Sequence, residues 1–197
     1  MAEKTVSNIA IRIWLDSTES IMGTNGLKAL LNYAGMLHLL ENLPDYSFDK
    51  NYTDDDFSAL AANYQQVLGT HGLKAILRQV GKTSARTSID MGVYDSFKEL
   101  PPVERFFKAA ELFSIASGRG GPLMEGETVV YDNPQCTACR GITSDTPVCT
   151  IMCGVMDELI AWAGMPEMKL VETHCKAMGD DTCRYEVRAL RTPPESQ

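Results

Sequence analysis

Residues 147–187 read PVCTIMCGVMDELIAWAGMPEMKLVETHCKAMGDDTCRYEV, and a change of hydrophobic period inside this stretch decides the fold class. Val148, Ile151, Met152, Val155, Leu159 and Trp162 recur at three- and four-residue spacing, which predicts a helix over 147–163 with one buried side. Gly164 closes that helix and Pro166 prevents its resumption. From Met168 to Glu172 the residues read as a strand. Met178-Gly179-Asp180-Asp181 is a turn, and Cys183 to Leu190 alternates as the returning strand of a hairpin.

Upstream, to about residue 120, the helical period dominates. Ile9, Ile13, Trp14 and Leu15 suggest an amphipathic helix over 7–22, although Ile9-Ala10-Ile11-Arg12-Ile13 also reads as a strand. After a glycine turn at 23–26, Leu27, Leu30, Leu31 and Ala34 form a helix that Gly35 stops. Thr53 followed by Asp54, Asp55 and Asp56 marks a helix start, because a threonine caps free N–H groups and acids suit the helix dipole. Phe57, Leu60, Tyr64, Val67 and Leu68 continue its apolar face to Gly69, and a further helix carries Leu73, Ile76, Leu77 and Val80 to Gly81. The segments 23–35 (GTNGLKALLNYAG) and 69–81 (GTHGLKAILRQVG) echo each other, through shared cap chemistry or as a pseudo-symmetric pair around a cavity. Pro102 opens another helix with Val103, Phe106, Phe107, Ala110 and Phe113 on one side, and Gly118-Arg119-Gly120-Gly121-Pro122 breaks it. Residues 127–131 then read as a strand.

The expected organisation is a single domain over 1–197, with a helical half at 1–120, a strand-helix-hairpin half at 121–190 and a tail at 191–197. A net charge of −8 argues against direct nucleic-acid binding, which needs a basic footprint. No stretch approaches the ~20 apolar residues of a membrane span. The N-terminal MAEKTVSNIA lacks the apolar core of a secretory signal, so a cytoplasmic location is expected. In that setting the six cysteines read as metal ligands or reduced thiols rather than disulfides. No Ser/His/Asp arrangement, catalytic carboxylate pair or dinucleotide fingerprint is legible, which favours a binder over an enzyme.

The chemistry concentrates in the quoted stretch. Cys175 and Cys183 flank the hairpin turn, Glu172 lies near the end of the incoming strand, and Cys149 falls in the first turn of the helix. Three thiolates and a carboxylate make a four-coordinate set that zinc accepts, and filling every position leaves a structural role. The spacing lacks the paired CxxC knuckles of the strong zinc signatures, so buried inert cysteines remain an alternative on spacing alone.

The order E-x-x-C-x-A-x-G-x-x-x-C over 172–183, after a cysteine that opens a helix, resembles the 4-vinyl-reductase domain family. That family includes the effector-sensing domains of phenol- and xylene-responsive bacterial activators. The resemblance covers the last ~50 residues and implies zinc held by Cys149, Glu172, Cys175 and Cys183. For the fold it implies an α+β domain, with N-terminal helices packed on a C-terminal antiparallel sheet around an apolar cavity, commonly in a homodimer. The architecture is similar to haem-based nitric oxide sensors and to Golgi transport-particle subunits. The activators' ATPase and DNA-binding regions have no counterpart here.

The sequence departs from the family in Cys136 and Cys139, a CxxC in DNPQCTACRG, and in Cys153. These are idle thiols, redox-active cysteines, or ligands of a second metal or an iron–sulfur cluster. His174 is expected on the opposite face of its strand, His71 in a helix-opening turn, and His38 as a packing residue or, less readily, a cavity or haem contact. Trp14, Tyr33, Tyr64, Phe106, Phe107 and Trp162 are the candidate lining of a pocket for a small hydrophobic ligand. The leading expectation is thus a small hydrophobic-molecule sensor or carrier with structural zinc. The alternative is a redox protein or accessory enzyme of tetrapyrrole (bacteriochlorophyll) metabolism using Cys136, Cys139 and Cys153.

Overall fold

The structure, a computed structural model, describes residues 3–118 and 120–190, so the tail at 191–197 lies outside the described residues. A short strand β1 (Val6–Ser7) leads into α1 (Asn8–Tyr33) and α2 (His38–Glu41), and β2 (Lys50–Tyr52) returns to pair antiparallel with β1. The helical half is completed by α3 (Asp54–Asp90) and α4 (Pro102–Ser117). The second half runs β3 (Gly121–Glu125), β4 (Thr128–Asn133), α5 (Thr150–Trp162), β5 (Met168–His174) and β6 (Cys183–Ala189). Its sheet has the order β3-β4-β6-β5 with every neighbouring pair antiparallel. The expected α+β architecture is present.

Local chemistry sets the helix limits. Thr53 and Asp56 form a reciprocal capping box at the start of α3. Pro102 occupies the first turn of α4 and Gly118 ends it in the left-handed conformation. The echoed glycines behave alike: Gly23 in α1 and Gly69 in α3 adopt φ of 72° and 68°, outside the helical region, so each is the break at a kink where one helix stops and the next begins, as the glycine signals there predict. Ile9–Ile13 is helical, so the strand alternative for that segment falls. Gly81, expected to close a helix, lies inside α3, which continues to Asp90. Its role is packing. A Cβ on Gly81 would stand 2.0 Å from Ile151 O, and one on Gly154 would stand 2.1 Å from Arg78 O. Two glycines on facing helices therefore let α3 and α5 touch backbone to backbone.

This crossing makes α5 the middle layer, between α3 and β5. Arg78 pairs with Asp157, and Arg86 grips Glu158 through two bonds of 2.9 Å. Asp157 also accepts from Leu170 N at 3.2 Å, tying the crossing to β5. In the helical half, Trp14 packs edge-on to Phe57 and Tyr64, at ring-centre distances of 4.9 and 5.7 Å. Strand β3 was not expected from the sequence, where 118–122 reads as a break. It pairs with β4 from Gly121↔Asp132 to Glu125↔Thr128. Among the described residues no helix is long and apolar enough to cross a membrane.

Candidate metal centre

The start of α5, the end of β5, the turn into β6 and the loop after β4 meet at one point. Cys149 is the N-cap residue of α5 rather than a member of its first turn. Its N–H donates to Glu172 Oε2 at 3.0 Å, and Tyr185 Oη donates to its carbonyl at 3.2 Å. Thr150 Oγ1 donates to Lys74 O at 2.6 Å, fixing the same helix end to α3.

Strict strand alternation would send Glu172 and Cys175, three residues apart, to opposite faces. The register irregularity between Glu172 and His174 breaks that alternation, and both reach one site. Cys175 N–H donates to Asp180 Oδ2 at 2.7 Å, and Lys176 N–H donates to Cys183 Sγ at 3.4 Å. Such an N–H offsets negative charge on a ligand sulfur.

The expected ligands Cys149, Glu172, Cys175 and Cys183 thus come together, their ligand atoms all within 4.8 Å of one another. Cys136 and Cys139 join them, forming a second set with Cys149 and Cys183. The CxxC loop is docked on α3, since Ser58 Oγ donates to Thr137 O at 3.0 Å and Arg140 pairs with Asp55 at 2.7 Å. Cys153 belongs to neither set, so the expected grouping of Cys136, Cys139 and Cys153 does not form. Burial first, then the charge of Glu172, pushes its thiol up to about 12.

The sulfurs stand at coordination spacing: Cys136–Cys149 3.3 Å, Cys139–Cys183 3.6 Å, Cys183–Cys149 3.6 Å and Cys175–Cys149 3.9 Å. Zinc–sulfur bonds of about 2.3 Å give a tetrahedron edge of about 3.8 Å. All six cysteines are buried and free. Thiol contacts, that from Cys139 foremost, hold Cys136 and Cys175 below the ordinary value. Cys149 and Cys183 are pushed up, by Cys136 first. Burial, then the charge of Cys175, lifts Glu172 to about 9. Glu172 Oε1 is buried without a hydrogen-bond partner. An orphaned carboxylate oxygen among crowded thiols is the donor set that a bound cation satisfies.

A cavity of about 140 Å³ adjoins this cluster, lined by Ala10, Phe57, Val80, Phe113, Met152, Val155 and Tyr185 and by the polar residues Ser84, Ser117, Asn133 and Thr137. Cys136 lines it too, so cavity and cluster share a residue. Asn133 Oδ1 is buried with no partner. None of the six aromatic residues expected to line a pocket lines this cavity. Trp14, Tyr64 and Phe106 are fully buried core residues, Phe107 and Trp162 are half-buried against the core, and Tyr33 is exposed. The rings that do line the cavity are Phe57, Phe113 and Tyr185. His38, His71 and His174 are all exposed, and none lines the cavity.

No family model matches the chain. No curated protein matches it either. Solved structures do. An H-NOX protein from S. oneidensis in its Fe(II)NO ligation state is 11% identical, with 94% of this chain and 100% of that chain covered and a TM-score of 0.58. A point mutant of an H-NOX protein from K. algicida, in the unliganded Fe(II) state, is 13% identical over 94% of this chain and 97% of that chain, with a TM-score of 0.60. A further structure, from a study of haem distortion in the H-NOX family, is 13% identical over 97% and 100% with a TM-score of 0.59. At such identities the likeness is one of fold, and the chain has the α+β fold of H-NOX domains.

Proposed function

We propose that this chain is a binding domain, a sensor or carrier, for a small apolar molecule the size of one substituted aromatic ring, with a structural zinc centre beside the binding cavity. The observation that carries this reading is the cavity. Its volume of about 140 Å³ is close to the ~150 Å³ apolar void that accommodates benzene in a protein core. Its one orphaned acceptor, Asn133 Oδ1, suits a ring that bears a hydroxyl, because an unpaired buried acceptor costs about 1–3 kcal/mol. Zinc suits the cluster because it accepts thiolate and carboxylate together and has no redox chemistry to control.

The H-NOX structures are described with haem and Fe(II), but the cavity beside the cluster does not fit a haem. The cavity is far below the ~300 Å³ lower bound of ordinary ligand sites, and every histidine is exposed. The redox alternative draws on the recess in which Cys136 and Cys139 meet Arg140 and Lys176. Sulfur spacing favours single-metal tetrahedra over a cubane cluster. In a cubane each thiolate sits on a different iron, so its ligands stand farther apart than one tetrahedron edge. The homodimer implied by the family resemblance belongs to the same proposal, with light scattering as its check.

Calorimetric titration with p-cresol and toluene tests the binding function. Both rings are expected to bind, p-cresol tighter by about tenfold, the value of roughly one buried hydrogen bond. Asn133→Leu is expected to erase that margin. Equal affinities in the parent chain, or no binding of either ring, would overturn the proposal.

A further inference from the structure

Six donors converge where one tetrahedral ion needs four. They form two sets, Cys136, Cys139, Cys149 and Cys183 on one side and Cys149, Glu172, Cys175 and Cys183 on the other. The sets share Cys149 and Cys183, and their other members differ. We infer that the cluster is a binuclear centre, in which two divalent ions of the zinc class are bridged by the thiolates of Cys149 and Cys183. Cys136 and Cys139 complete the first ion, and Cys175 and Glu172 complete the second. This rests on the reading of the cluster as a zinc centre and extends it from one ion to two.

Donor arithmetic comes first. Each ion obtains two terminal and two bridging ligands, so both are four-coordinate and no donor is left over. Geometry agrees. The bridging pair stands 3.6 Å apart, and each terminal thiol lies one edge from a bridging one: Cys136 3.3 Å from Cys149, Cys139 3.6 Å from Cys183, Cys175 3.9 Å from Cys149. One ion on either set alone would leave two further donors at coordination distance from a bridging sulfur, with nothing to coordinate.

Charge gives the same answer. Five thiolates and one carboxylate bring six negative charges to a buried site. A single dication leaves four of them uncompensated, which returns protons to the unused thiols. Two dications leave two, spread over the sulfurs, and the N–H that Lys176 donates to Cys183 Sγ at 3.4 Å offsets part of that remainder on a bridge. The donor types select the metal. One ion sees only sulfur and the other sees three sulfurs and an oxygen, a mixture that suits zinc better than cuprous copper. The recess lined by Cys136, Cys139, Arg140 and Lys176 gives the first ion its route in from solvent.

Metal counting and cadmium-113 NMR test this on the whole chain. Protein from zinc-supplemented cells is expected to carry two zinc ions per chain by mass spectrometry, and the Cys136→Ser/Cys139→Ser double variant one. Replacement by cadmium-113 is expected to give two resonances, split by each other through the bridging sulfurs. One zinc per chain in the parent overturns the second ion and leaves the structural zinc standing, whereas no zinc, or iron with acid-labile sulfide, overturns both. Two unsplit cadmium resonances overturn the bridge. The cadmium measurement uses the unaltered chain, so it decides the matter even if the double variant fails to fold.

Discussion

The backbone N–H of Cys149 donates to Glu172 Oε2 at 3.0 Å, while Glu172 Oε1 is buried and unpartnered. One carboxylate therefore does two jobs. It ties the N-cap residue of α5 to β5, and it keeps a second, buried oxygen without a protein partner.

Glu172→Gln separates those jobs. The amide oxygen still accepts from Cys149, but the anionic donor is gone. Metal affinity is expected to fall by at least about 10–100-fold, the range for losing only a hydrogen-bond partner of a ligand, with little change in the fold. Competition against a chromophoric chelator measures it, and an unchanged affinity would remove Glu172 from the ligand set.

Cys153 and Cys183 are expected to part company. Both are buried, yet only Cys183 has sulfur neighbours at coordination spacing. Cys153→Ala should keep the full metal content of the parent, and Cys183→Ser should lose metal and melt lower. Metal analysis beside thermal melts checks both. Loss of metal from Cys153→Ala would return that residue to the site.

Gly154→Ala drives a methyl group to 2.1 Å from Arg78 O, a backbone atom that no side-chain rotation can move. The α3–α5 crossing must open, at a cost of about 3 kcal/mol. Urea denaturation of the metal-loaded chain reads this directly. A loss under about 0.5 kcal/mol, the size of an ordinary surface change, would show that the crossing yields freely.

Alkali should destabilise the protein in two stages. Burial raises Cys153 from 9.0 to about 12 and Tyr64 from 10.0 to about 12. Both folded values exceed the unfolded ones, so the folded chain keeps protons that the unfolded chain releases. The stabilisation is complete below about pH 9 and is lost as pH rises toward 12. Melting temperature is expected to decline from pH 9 upward, and in Cys153→Ala the decline should begin about one unit later. Identical profiles for the two chains would contradict the burial of that thiol as its cause.

Much of this was legible in residue order. Thr53 with Asp56, Pro102, and the period change after Gly164 each act over a few residues, so capping and periodicity located them. The hairpin at 168–190 brought Glu172, Cys175 and Cys183 within reach of one another by local pairing. Other features were hidden. Gly81 looked like a stop signal because nothing local distinguishes a helix-ending glycine from one against which another helix packs. Strand β3 was masked by Gly120, Gly121 and Pro122, and it forms because β4 supplies its partner groups.

The sequence alone determined the α+β class, the helix limits at Thr53, Pro102 and Gly118, and four members of the candidate metal site, because these depend on neighbours within a turn or a hairpin. Only the tertiary structure decided that Cys136 and Cys139 belong with them and Cys153 does not. Only it decided that the cavity is walled by Phe57, Phe113, Met152 and Asn133 rather than by the six aromatic residues expected there. The physical reason is the same in both cases. Loops have no period to read, and the position of the CxxC loop is fixed by its docking on α3 through Ser58 and Asp55. A cavity, likewise, is the space that several packed elements leave between them, and no single segment encodes it.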